Sequence, residues 1–444
     1  MARSRFIAAI TIAIAVACPG NARTQADAAD TGSSIHAQYL AELAEFKAAG
    51  IPTSLSEIFP QPHSADQNAA PIYVKLGDGH SFPAGDDETN IMPVLQPGAT
   101  EADWKNAHTF LKKHADLVAA VHEAASKPQC FTAGRAGVKD PAAILLPELA
   151  PIRRAARILS VESQVLAYDG KPHEAIKNAE LGFHVSEHAY QDPLLIGWLV
   201  GIASDAITIN SFESIMLLNR HQPNVVAEAA QALASSRHSH TVSDALKGEA
   251  AFGIAELAFI RSNRFGGLND LGAGDAANSP LAKKTPAEWS DFVDSNGIQL
   301  MKYYRQIIAD AAGPYPISSQ NVAAQFAKLD SQHGEDTYIV HILFPVFSKI
   351  MVKDAQIAAR AAIVQASAAL YIWRAKHSEY PATLQEAADK VPADPFDLKP
   401  IRYRRDSAGF VLYSVGENGK YDGGAHTDFQ VVLRVSGDGV ANWK

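Results

Sequence analysis

The stretch from Leu149 to Tyr190 limits the fold more than any other. In "APIRRAARILSVESQVLAY" apolar and small residues recur at the three-and-four spacing of a helix, and "HEAIKNAELGFHVSEHAY" does the same after Asp169-Gly170-Lys171-Pro172. Asp-Gly supplies a turn, and a proline in the first turn of the next helix loses nothing by lacking an N–H. The spacing predicts an αα-hairpin, in which Ala156, Ala167, Ala175 and Ala179 allow close helix packing.

The surrounding chain continues in this manner. Asp192-Pro193 opens another helix, with Asp as cap and Pro just inside. Further helices are expected across Gln222–Ser236 and Val242–Arg261, and periodicity resumes from Pro286 to about Lys376. The Gly/Asn/Asp-rich stretch 264–280 reads as a loop too polar to bury. Residues 50–100, rich in Pro, Gly and Asp around Ile72-Tyr73-Val74, read as an irregular segment covering a helical body. Near the C-terminus, Ile357, Ala361, Val364, Ala368 and Tyr371 place one apolar stripe on a long helix that stops before Tyr380-Pro381. Thr383 and Glu386 then have the spacing of a capping box. Three strand candidates follow, Ile401–Arg404, Phe410–Ser414 and Phe429–Val435, the first two joined as a hairpin through Gly409. The expected organisation is a lead-in and covering segment over 23–100, an α-helical domain over 101–352 and an α+β module over 353–444.

A chain of 444 residues, 47% of them hydrophobic, can bury a large core. Its net charge is −9 with no long block of either sign, and a basic patch such as Arg402-Tyr403-Arg404-Arg405 is small and strand-like. Nucleic acid is therefore not the expected partner, since phosphate binding needs an extended cationic surface. At the N-terminus, Arg3 and Arg5 precede an apolar run from Phe6 to Ala17, followed by Gly20-Asn21-Ala22. This is the pattern of a secretory signal peptide over 1–22, cut after Ala22, and it places the protein in the cell envelope, the periplasm or the exterior. Ala15-Val16-Ala17-Cys18 is a degenerate lipobox, so the alternative is a lipid anchor at Cys18. Only Cys130 is then left in the mature body, where a lone cysteine reads as a buried small hydrophobe. No later segment reads as transmembrane; Leu194–Ile209 contains Asp205 and reads as a buried helix.

Two resemblances add to these readings. "AYDGKPHEAIKNAELG" resembles the middle of a tetratricopeptide repeat over one unit, which implies a TPR-like bundle of αα-hairpins. The order of long helix, "EYPATLQEA", "DPFDLKPIRYRR" and "FVLYSVGENGKYDGG" resembles the globular part of the major pseudopilin of type II secretion, over roughly the last fifth of the chain. That likeness implies a long helix on a three-stranded antiparallel sheet, with calcium often bound in the loop after "LYS-x-G". Carried over, the family's first carbonyl ligand falls on Val415, its first carboxylate on Asn418, its second on Ala425 and its third on or next to Asp428, with Asp422 extra. One ligand is lost and one is a neutral amide, and fewer carboxylates mean weaker calcium binding. The chain also departs from the family in lacking an apolar N-terminal helix continuous with the long one.

Catalytic signatures are missing: no HExxH, GxSxG, Walker loop or CxxC pair occurs. His184 and His188 share a helical face beside Glu187, which suits zinc only with a third ligand from elsewhere and otherwise reads as a partly solvated face. His238, Ser239 and His240 read as a solvated turn between helices, and Arg153, Arg154 and Arg157 as a salt-bridged surface. The functional expectation is an exported, non-catalytic interaction or scaffolding protein of the cell envelope with a protein partner. The competing expectation is an envelope hydrolase with its site between central helices, and a third is an accessory factor of a secretion or pilus system. Acids and histidines converging in one deep pocket would favour the hydrolase.

Overall fold

The computed structural model describes residues 34–60, 64, 66–77, 91–95, 98–236, 238–271, 279–344, 347–406, 409–420, 431–436 and 441–443. Among these the protein is mainly helical, with one small antiparallel sheet near the C-terminus. The longer helices are α1 (Ser34–Ala48), α2 (Ala70–Gly77), α3 (Glu101–Lys113), α4 (Ala115–Ala125), α5 (Leu149–Tyr168) and α6 (Pro172–Tyr190). They continue as α7 (Leu195–Leu218), α8 (Pro223–Ser235), α9 (Val242–Asn263), α10 (Pro286–Ala311), α11 (Tyr315–Asp330) and α12 (Phe347–His377). The strands are β1 (Arg402–Arg405), β2 (Phe410–Tyr413), β3 (Val432–Val435) and β4 (Ala441–Trp443), paired in that order.

Local chemistry sets the helix ends. Thr100, Thr241 and Thr285 each accept from the third backbone N–H of the helix they open, while Asp103, Asp244 and Glu288 reach back to the cap. Each such box is worth about 1 kcal/mol. The hairpin expected from Leu149 to Tyr190 is α5–α6, closed by Gly170 at φ 76° and a bond of 2.9 Å from Lys171 N–H to the Leu166 carbonyl. Helix α7 lies across both members of that hairpin. Gly201 makes this possible, because a Cβ there would stand 2.6 Å from the Tyr190 ring. Helix α7 starts later than expected: Leu194 stands at its cap, Pro193 lies outside it, and Asp192 closes the preceding turn by accepting from Leu194 N–H at 3.0 Å. Its other oxygen takes Arg135, which is also bonded to Glu148, forming a buried ion triad at the mouth of the hairpin.

Three cores result. One gathers α2 to α6 around Tyr73, Ile152 and Leu159, and a second gathers α1, α9, α10 and α11 around Phe292, Tyr304 and Val322. The third lies between α6, α7, α8, α12 and the sheet. Helix α12 belongs to two of them: Ile350 and Met351 enter the second core, and Ile363, Leu370 and Tyr371 enter the third. Along the sheet, Phe410, Leu412, Leu433 and Val435 face α12, while Val411, Tyr413 and Val432 cluster on the opposite face, the period of two that pleating dictates. Glu213 of α7 accepts from Tyr371 at 3.0 Å, and Arg360 bonds Asn210, so buried polar contacts also join α12 to α7. Among the described residues two helices, Leu195–Leu218 and Lys349–His377, are long and apolar enough to cross a membrane, but more than half of each apolar window is packed inside the protein.

Several details differ from the sequence expectation. The covering segment contains α2 across Ile72-Tyr73-Val74, with Tyr73 buried. The stretch 264–280 begins as a helix, Phe265–Asp270, because Leu268 reaches the second core; residues 272–278 lie outside the described residues. Thr383 and Glu386 form only part of a capping box, since the Thr383 hydroxyl donates to Glu386 at 3.0 Å and does not accept from the helix. The first two strands form the expected hairpin, Arg402 opposite Tyr413. The third begins at Val432, and β4 extends the sheet to a fourth strand.

Candidate functional site

Helix α6 presents Lys177, Glu180, Leu181, His184 and Glu187 along one side, at spacings of three and four. Opposite stand the end of α8, with Ala232 and Ser235, and the linker that follows it. Lys127 and Pro128, just after α4, close the third side of a cleft of about 610 Å³. Both ends of the linker are pinned. Ser236 bonds back to the Ala232 carbonyl through its N–H (3.2 Å) and hydroxyl (3.0 Å), and Thr241 caps α9.

Its middle is held by a network of charges. His238 donates through Nδ1 to Glu187 Oε2 at 3.0 Å and through Nε2 to Asp205 Oδ2 at 2.7 Å. The Tyr190 hydroxyl donates to the same Asp205 oxygen at 2.7 Å, and its ring centroid lies 4.2 Å from that of His238. The Ser239 hydroxyl donates to Glu187 Oε1, and His240 Nδ1 meets that oxygen at 3.0 Å. Burial alone would lower the pKa of His238, but its bonds to Asp205 and Glu187 and their charges overcome this and raise it to about 9. The imidazole is therefore a cation at neutral pH. Burial likewise works to raise Glu187, and the three hydrogen bonds from His238, His240 and Ser239 reverse it, holding the carboxyl far below the usual range. Asp354 of α12 lies beneath, pushed to about 6 by burial and by the charge of Asp205, against the opposing pull of Trp198 and His238. Among the described residues, Asp205 Oδ1 is buried there without a hydrogen bond.

This corrects the sequence reading of 238–240 as a solvated turn. The segment is an anchored linker, because Asp205, placed in an apolar helix, needs a cation within reach. The reading of His184 and His188 as one partly solvated face also fails. His184 is exposed on the cleft, whereas His188 is buried, with Nδ1 on the Tyr73 hydroxyl at 2.9 Å and Nε2 on the Lys127 carbonyl at 2.8 Å. Burial lowers its pKa to about 4, so it stays neutral with both nitrogens engaged, and the two histidines do not converge on a metal. Among the described residues no group of three His, Cys, Asp or Glu side chains is arranged to hold a metal ion.

Of the residues carried over for calcium, Val415 and Asn418 are described, and Asp422, Ala425 and Asp428 lie outside the described residues. Val415 is buried and donates its N–H to Asp394 Oδ2 at 2.8 Å, and Asn418 Oδ1 accepts from Lys420 N–H at 3.0 Å, closing a turn. Arg153 and Arg154 are exposed on α5, away from the cleft lining. Cys130 is buried, and burial raises its thiol pKa well above the ordinary value. Sequence reasoning missed Tyr190, Asp205 and Asp354 as partners of the histidines. The available signal was Asp205 itself, a charge inside an apolar run, which requires a buried partner. Comparison of the chain with family models, curated proteins and solved structures found no match in any of the three.

Proposed function

We propose that this is an exported, non-catalytic interaction protein of the cell envelope, which receives a protein partner in the cleft between α6 and the α8–α9 linker. One observation carries the reading: the histidine and serine of the linker that walls the cleft are already engaged with carboxylates. A general base needs a free lone pair, and both nitrogens of His238 are bonded to carboxylates. The Ser239 hydroxyl points at a carboxylate whose low pKa makes it a poor base. Export rests on the signal-like residues 1–22, with the lipid anchor at Cys18 as its variant. In this reading the central helices act as a TPR-like bundle, and residues 353–444 are a reused pseudopilin-like module whose loop at Val415, Asn418, Asp422 and Asp428 holds calcium weakly or not at all. The test is crosslinking in intact envelope fractions with the full chain and with Ser236→Trp, which fills the cleft. A partner crosslinked by the wild type and lost in the variant is expected; no crosslink to either chain would sink the proposal.

A second reading, the envelope hydrolase, is favoured by Asp354. A carboxyl titrating at about 6 beside another acid and an imidazolium suits general acid–base work. Hydrolysis of ester, peptide or glycoside probes by the wild type, abolished by Asp354→Asn, would establish it. An accessory role in a secretion or pilus system rests on the pseudopilin resemblance alone.

A further inference from the structure

We infer that the turn Pro141–Ala143 is a proton latch: it stays seated on α9 while the Glu256 side chain holds a proton, and it loosens as that proton is lost. Glu256 is fully buried in α9, and among the described residues neither of its carboxyl oxygens has a hydrogen bond. Helix α9 packs against this turn and against the short helix Phe265–Asp270. Each segment brings an acid toward Glu256, Asp140 from the first and Asp270 from the second, and among the described residues these are the only charges that face it. The Ala142 N–H beside them is held by Asp140 Oδ1 at 3.1 Å. Basic groups close in the chain serve other partners. Arg261 is bonded to Ser290 and Asp294, Arg264 reaches the Lys284 carbonyl over the Trp289 ring, and Lys139 is exposed.

A buried carboxylate with neither a hydrogen bond nor a cation takes up a proton instead of keeping its charge. Burial, and next the charge of Asp140, raise Glu256 from 4.5 to about 8 against the pull of the Ala142 N–H, and Asp270 adds to the rise. Once the turn lifts, water reaches the carboxyl and the ordinary value returns. Seating is therefore strongest below 4.5, weakens about tenfold for each pH unit up to about 8, and changes no further above it. The latch controls the shape of a cavity. A second cleft, of about 600 Å³, takes one wall from Val138, Lys139 and Pro141 and another from Ile254, Ala255 and Phe259 of α9. Asp140 and Glu256 belong to the same two segments, so loosening the turn parts the two walls.

The experiment is hydrogen–deuterium exchange on the full-length protein, wild type against Glu256→Gln, at each pH from 5.5 to 8.5. The amides of Ala142, Ala143 and Ile144 report the turn, since they are bonded to the Asp140 carboxylate, the Asp140 carbonyl and the Pro141 carbonyl. Comparing the two proteins at the same pH cancels the pH dependence of exchange itself. The ratio of wild-type to variant rate at these amides is expected to rise about a hundredfold between pH 5.5 and 7.5 and to level off above about 8. Amides of α5 around Leu159, in a different core, control for opening of the whole chain, and their ratio is expected to rise far less. Asp270→Asn, an exposed position, removes one charge that raises Glu256 and should bring the levelling to lower pH. That variant keeps the test available if Glu256→Gln fails to fold. A ratio at Ala142–Ile144 that does not change with pH, an equal rise in α5, or a levelling unmoved by Asp270→Asn would overturn the latch.

Discussion

His238 Nε2 lies 2.7 Å from Asp205 Oδ2, joining a linker between two helices to the middle of a third. Asp205 is 3% exposed, and its charge is tolerable there because the cation and the Tyr190 hydroxyl meet the same oxygen. Substituting His238 by Ala leaves a buried carboxylate with one donor. The expected cost is about 2–4 kcal/mol in urea denaturation, the range for breaking a mostly buried pair from one side. A change within about 0.5 kcal/mol would mean that the pair is not an anchor.

Stability is expected to fall as pH rises from about 5 to 9. Asp354 and Asp192 are pushed to about 6, Glu213 and Glu249 to about 7 and Glu256 to about 8, in each case mainly by burial. Each holds a proton in the folded state over a range in which the unfolded chain has released it, so its contribution is full at low pH and lost as pH passes the raised value. His238, raised from 6.5 to about 9, adds a loss between those two values. Glu187 has the opposite sign, because its lowered pKa stabilises the fold until the medium becomes strongly acidic. Melting temperature measured across this range checks the trend, and Asp354→Asn should flatten its acid end. A melting temperature that rises steadily to pH 9 would contradict it.

Phe410→Ala should destabilise the sheet and the helical body together. Phe410 is fully buried against Tyr371 and Tyr380 in the core that α6, α7, α8 and α12 share with the sheet. Removing such a ring costs about 3–5 kcal/mol. Far-ultraviolet circular dichroism and the fluorescence of the buried Trp289, in the second core, should shift to the same lower denaturant midpoint. Separate midpoints would show two independently melting units.

Millimolar calcium is expected to leave the melting temperature of the wild-type chain unchanged, since Asn418 spends its side-chain oxygen on Lys420 N–H and carries no charge. Asn418→Asp restores one carboxylate and should make melting calcium-dependent. A calcium-induced rise already present in the wild type would overturn the expectation.

The helical hairpin at Leu149–Tyr190 and the order of helix and strands at the C-terminus were legible because they rest on local signals, namely periodicity, Asp-Gly turns and prolines at helix starts. The cluster under the cleft was not. Glu187, Asp205, His238 and Asp354 come from four elements, and no spacing in the sequence relates them. His188 shows the same limit from the other side. Its helical position looked solvent-facing, but α2 supplies Tyr73 and the segment after α4 covers it. Leu268 buried a glycine-rich stretch for a comparable reason, a distant core that its neighbours in sequence do not reveal.

Helix α12 and the sheet come last in the chain, yet they cover apolar faces of α6, α7 and α8 that precede them by well over a hundred residues. A chain emerging from its N-terminus would form the α5–α6–α7 group early and hold it half-covered until α12 arrived. During that interval the cleft linker has its histidine anchor, but Asp354 is missing beneath it and one wall of α7 is still wet. The arrival of α12 is thus the step at which the cleft acquires its final footing.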